Sequence, residues 1–145
     1  MRYVEAPTIP RFSPREKLLF LAGGIQGCPD WQSDMVSLLH DTSWVVLNPR
    51  RTNFPIHDPT AADAQIQWEY DHLRYADVIL FWFPCETLCP IVLYELGAWS
   101  MTKKPLYVGV HPDYQRRQDV EIQTRLSRPD VRIVYSLEAL AQEVK

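Results

Sequence analysis

Apolar residues in this chain come in short unbroken runs rather than in strict alternation. Lys17–Ala22 (Lys-Leu-Leu-Phe-Leu-Ala), Trp44–Leu47, Asp77–Phe83, Pro105–Val110 and Val131–Tyr135 are such runs. Each is bounded by Gly, Pro, Asn or Asp, as expected of strands buried on both faces. Helical stretches lie between them. Asp30 can cap a helix to about His40, with Trp31, Met35, Leu38 and Leu39 facing inward. Thr60 is placed to cap a second helix, ending near Ala76. A third, almost wholly apolar helix runs from about Pro90 to Thr102. A polar segment rich in Gln and Arg before Pro129 is a candidate fourth, and Leu137–Val144 closes the chain.

Strands alternating with helices at this spacing predict βαβ units with right-handed crossovers and a mainly parallel sheet. The expected fold is a flavodoxin-like α/β three-layer sandwich with five parallel strands in the order 2-1-3-4-5. Residues 1–15, with Pro7, Pro10 and Pro14, read as an N-terminal arm, and residues 16–145 as one domain. Ligands in such sheets sit at the carboxyl ends of the strands, beside strand 1. Two loops are therefore expected to meet: Gly23–Asp30 after strand 1 and Pro84–Cys89 after strand 3. Glu95 lies just beyond the second.

Composition narrows the classes. The chain has 145 residues, enough for one core, with a net charge of −3 and no broad basic footprint, so a nucleic acid polymer is not an expected partner. No apolar stretch is long enough to span a membrane and no leader is evident, so a soluble cytoplasmic protein is expected. Three cysteines, Cys28, Cys85 and Cys89, do not make a disulfide framework. The four histidines, His40, His57, His72 and His111, are scattered, and no metal site or cofactor is expected.

Glu95 is the only charged residue between Glu86 and Lys103. A carboxylate in that apolar helix has no local cation, so its desolvation must be offset by hydrogen bonds, a partner or a ligand. Glu69 is the second unusual carboxylate. It falls on the stripe Ala62, Ile66, Leu73, Ala76, either facing the protein or snorkelling to the rim with His72 as partner. Two inward carboxylates suit glycosyl chemistry, where one acts as nucleophile and the other protonates the leaving group. Glu95, in the first two turns of its helix, suits the nucleophile; a buried Glu69 suits the acid. The turn Gly23-Gly24-Ile25-Gln26-Gly27 lets a ligand approach backbone amides, or is simply a tight turn. Trp31, Trp68, Trp82 and Trp99 are core candidates, of which one or two can stack a base. Arg50-Arg51 is a solvated pair or an anion contact. Cys89, at a helix start, is a minor candidate nucleophile.

Taken in order, Phe20-Leu-Ala-Gly-Gly-Ile, Asp30-Trp-Gln, Asn48-Pro-Arg-Arg, Gln67-Trp-Glu and Glu95-Leu-Gly resemble the nucleoside 2-deoxyribosyltransferase-like family, from about Leu18 to Val110. The resemblance implies a flavodoxin-like fold and a nucleophilic glutamate at Glu95. It implies that Glu69, in place of the usual Asp, helps protonate the leaving base. It also implies that Gly24 and Gln26 face the sugar or its 5′ substituent. Members transfer deoxyribose between bases or hydrolyse the N-glycosidic bond of a nucleoside or its monophosphate, as homo-oligomers in which a neighbour can complete the pocket. Besides Glu69, two positions depart from the pattern. Cys89 stands where transferases carry an acidic residue and monophosphate hydrolases a serine, and Gly24 stands where phosphate binders carry serine.

The expected activity is thus N-glycosidic cleavage or 2-deoxyribosyl transfer on a nucleoside or nucleotide through a glycosyl-Glu95 intermediate, without a cofactor. The catalytic set is Glu95 and Glu69. The binding set is Gly23, Gly24, Ile25, Gln26, Trp31, Asn48, Trp68 and Cys89. The rival reading is a nucleotide-binding or sensing module that has lost turnover.

Overall fold

The computed structural model describes residues 1–145. In chain order the elements are β1 (Arg2–Glu5), β2 (Leu18–Gly23), α1 (Trp31–Leu38), β3 (Val45–Asn48), α2 (Ala61–Tyr75), β4 (Val78–Phe83), α3 (Pro90–Ser100), β5 (Leu106–Val110), α4 (Arg117–Ser127), β6 (Ile133–Val134) and α5 (Leu137–Val144). They form one six-stranded sheet in the order β1-β3-β2-β4-β5-β6, every pairing parallel. The five expected strands keep the expected 2-1-3-4-5 order. The count of five is corrected to six, because Arg2–Glu5 adds an edge strand beside β3, with Tyr3 paired to Val46 and Val4 to Leu47. Only Val4 of that strand is buried, so its apolar signal is a single residue.

Central β2 and β4 are buried at every position, which is why they read as unbroken apolar runs. Successive side chains point to opposite faces and fill two cores. On one face Phe20, Leu47, Ile79, Phe81, Phe83 and Val108 pack under α2, α3 and α4. On the other Leu19, Leu21, Val46, Leu80 and Trp82 pack under α1 and α5. The layers therefore run helix, sheet, helix. No helix is long and apolar enough to cross a membrane.

Local signals decide the helix ends. Asp30 caps α1, its carboxylate accepting from the Ser33 N–H, and Ser136 caps α5 in the same way through Ala139. Thr60 does not cap α2. Its hydroxyl donates to Asp58 Oδ1 at 2.7 Å, leaving no cap bond to the helix. The inward face of α2 is also turned by about one residue from the expected stripe. Ala61, Trp68, His72 and Leu73 are buried, whereas Ile66 is 64% exposed. The larger aromatic surface wins the core. The Trp68 and His72 rings stack at 4.0 Å, and Trp68 Nε1 donates to the Thr8 carbonyl at 2.8 Å, which ties the N-terminal segment down.

Candidate active site

The carboxyl ends of β2 and β4 lie side by side, with Gly23 in register with Trp82. The loops that leave them are in contact. A Cβ on Gly24 would sit 2.9 Å from both Cys89 Sγ and Pro84 Cγ, and 3.1 Å from Thr87 Cγ2. A Cβ on Gly23 would overlap the Trp31 indole and the Trp82 carbonyl. These two positions need glycine for space, because Trp31 of α1 and the β4 backbone close on Gly23 and the β4–α3 loop closes on Gly24. Gly27 needs it for conformation, with φ at 73°.

The Asp30-Trp-Gln and Asn48-Pro-Arg-Arg runs hold this turn in place. The Trp31 indole N–H and Gln32 Nε2 both donate to the Gly24 carbonyl, at 2.9 and 3.1 Å. The Arg50 guanidinium donates to the Pro29 carbonyl at 2.8 Å, to Gln32 Oε1 at 3.1 Å and to the Cys28 carbonyl at 3.2 Å. Asn48 completes the frame, its Oδ1 accepting from the Arg50 N–H and its Nδ2 donating to Tyr3 Oη. A guanidinium spent on loop carbonyls is not the solvated pair that Arg50-Arg51 suggests. Trp31, Gln32 and Asn48 are all buried, so they shape the turn from behind. Trp68, buried against Phe20 with ring centroids at 6.1 Å, also belongs to the core.

Cys89 begins α3 in the left-handed region, φ 53°, with Pro90 as the first helical residue. Its thiol is buried and donates weakly to the Thr87 carbonyl at 3.6 Å. Burial pushes the thiol up to about 12, which opposes a thiolate nucleophile at this position. The β4–α3 loop is further fixed by Tyr114, whose hydroxyl donates to the Leu88 carbonyl at 2.5 Å.

Glu95 lies on the second turn of α3 and Glu69 on α2, in the same helical layer. Burial, and secondly the charge of Glu69, pushes the Glu95 carboxyl up to about 8. No backbone or side-chain donor reaches it, and it is past the first turn where a helix dipole acts. Glu69 is also raised by burial, opposed by a hydrogen bond from Gln65 Nε2 to Oε1 at 3.0 Å. Its expected partner, His72, instead turns into the core, with Nδ1 at 2.8 Å from the Trp68 carbonyl. Burial therefore favours the protonated form of both carboxyls, and the charge of Glu69 adds to this at Glu95. A groove of about 770 Å³ runs elsewhere, between α3 and α4 past Leu96, Ser100, Val120 and Thr124, and neither carboxyl lines it.

Sequence reasoning missed Gln65 and Gln32. Gln65 stands four residues before Glu69, a spacing at which a side-chain amide reaches a carboxylate on a helix, and that was the available signal. Gln32, wholly buried, was legible only as part of the Asp30-Trp-Gln run. No three His, Cys, Asp or Glu side chains converge as a metal ion would require.

A parallel βαβ sheet with a glycine turn at its carboxyl edge defines a class of folds that hold small molecules at that edge. Within that class, the family model described as "Nucleoside 2-deoxyribosyltransferase like" matches residues 16–114, and the chain belongs to this family. No curated protein matched the chain significantly.

Proposed function

We propose that the chain cleaves or transfers the N-glycosidic bond of a nucleoside or nucleoside monophosphate through a glycosyl-Glu95 intermediate. The observation that carries this reading is the pair of carboxyls, one without any hydrogen bond and one held by an amide, in the helical layer behind two touching loops. A carboxylate with no protein partner keeps both oxygens free for attack on the anomeric carbon. In the productive state Glu95 is ionised and Glu69 carries the proton. Glu95 forms the bond to the anomeric carbon as the bond to the base breaks, and Glu69 protonates the departing base. A second base or a water then displaces Glu95, and Glu69 takes a proton from it. The Gly24–Gly27 turn takes the 5′ end of the sugar.

The same carboxyl position favours a second reading, a binding or sensing module. With its pKa near 8, only about one Glu95 in ten is ionised at pH 7 in the empty site. Base release measured over a panel of nucleosides and monophosphates, alongside binding, separates the two: binding without release selects the sensor.

The functional form is a homo-oligomer. α3 exposes Ile91 at 62%, Tyr94 at 77% and Met101 at 81%, and Gly97 opens onto free space between them. An apolar helix face of this kind calls for a covering surface. Light scattering at micromolar concentration tests it, and a monomer there contradicts it.

A further inference from the structure

Gln65 is used by neither the catalytic steps nor the sequence motifs, yet its hydrogen bonding is one-sided. Nε2 donates to the Pro49 carbonyl at 2.7 Å and to Glu69 Oε1 at 3.0 Å. Both amide protons are thereby assigned to acceptors. Oε1 is buried and has no partner at all. Turning the amide over would set an oxygen against two acceptors, so only one orientation is allowed. Leaving a buried acceptor unpaired is costly, and natural proteins rarely do so without a reason. A glutamine there only to fill space would turn its oxygen towards water. Pro49 is itself a fixed anchor, because Asn48 is bonded on both sides, to Tyr3 and to the Arg50 N–H.

We infer that Gln65 is a positioning residue for Glu69: it ties Oε1 to the β3–α2 turn and leaves Oε2 as the oxygen that carries the proton to the departing base. A carboxylic acid with both oxygens free can swing about its last torsion and present the proton from either. One tethered through Oε1 presents it from Oε2 alone, towards a single point. The same bond favours the ionised form of Glu69 and so opposes burial, which keeps the proton transferable. The ionisable group whose titration couples to Glu69 is Glu95 from α3.

This inference rests on the reading of Glu69 as proton donor, so the test has one arm that needs no substrate. Gln65→Met keeps the side-chain length and removes the hydrogen bond; Gln65→Leu replaces it if the Met variant does not fold. In the first arm, the Glu69 carboxyl is titrated by carbon NMR in native and variant protein. We expect its midpoint to rise by about half to one pH unit in the variant; an unchanged midpoint overturns the tether. In the second arm, kcat is measured for a nucleoside whose base needs protonation and for a deoxyribosyl donor whose phenolate leaving group does not. We expect a loss of about ten- to a hundredfold for the first and less than about threefold for the second. Equal losses for both overturn the positioning role. If the native chain releases no base from any substrate, the proposed activity fails, while the titration still decides whether Gln65 holds Glu69.

Discussion

Replacing Glu95 by Gln should stabilise the fold, and the gain should depend on pH in a direction fixed by the site. In the native chain burial and Glu69 raise the Glu95 carboxyl from 4.5 to about 8. Between those values the folded state binds a proton that the unfolded state has released. Unfolding free energy therefore falls as pH rises through that window, and the stability held below 4.5 is fully lost above 8. The span from 4.5 to about 8 corresponds to at most about 5 kcal/mol. Residual solvent access and sharing of the proton with Glu69 reduce this, and we expect about 2–3 kcal/mol. Gln has the same shape and nothing to titrate. The variant should match the native protein near pH 5 and exceed it increasingly to pH 8.5. Urea unfolding at half-unit pH steps, with far-UV circular dichroism as readout, measures the difference. A constant difference between native protein and variant across that range refutes the account of a desolvated Glu95; His72, held below its ordinary pKa by burial, acts alike in both.

Gly24→Ser should destabilise by about 1–3 kcal/mol, because its Cβ meets Cys89 Sγ and Pro84, and Gly24→Ser with Cys89→Ala should recover part of the loss; thermal melts of the two variants check this. Arg50→Ala strips the Cys28 and Pro29 carbonyls and Gln32 of their donor and should cost about 2–3 kcal/mol, with Arg50→Lys only partly restoring it because an ammonium cannot span three acceptors in a plane. For any substrate that is turned over, kcat/KM should rise with pH as the doubly protonated pair loses its first proton, and fall above about 8 as the pair loses its second. A stopped assay from pH 5.5 to 9.5 reads the profile, and a flat one contradicts the paired carboxyls.

What the sequence disclosed follows from how each element is stabilised. β2 and β4 were legible because both faces of a central parallel strand are buried, leaving no polar position to confuse the pattern. β1 was hidden because an edge strand of four residues is held by backbone bonds to β3, with Val4 its only core side chain. Glu95 stood out because a charge in an apolar run has no bland partner. Glu69 was singled out on a stripe that the structure shifts: periodicity counted Ile66 as inward, but the Trp68–His72 stack turned the helix and left Ile66 in solvent. Asn48, Trp31 and Arg50 were legible as motifs but not as a frame, because their roles consist of hydrogen bonds to carbonyls of other loops. Gln65 was missed for a related reason: its second partner, the Pro49 carbonyl, is sixteen residues away.

The central claim is the bond between Glu95 and the sugar. The most direct measurement is intact-mass analysis with peptide mapping on acid-quenched protein, milliseconds after mixing with a nucleoside that the native chain turns over. The account predicts a sugar-sized adduct on the native protein that maps to Glu95, decays as product forms and is absent from Glu95→Gln, which still binds substrate but releases no base. Full base release by Glu95→Gln, or an adduct that maps to another residue, would contradict it.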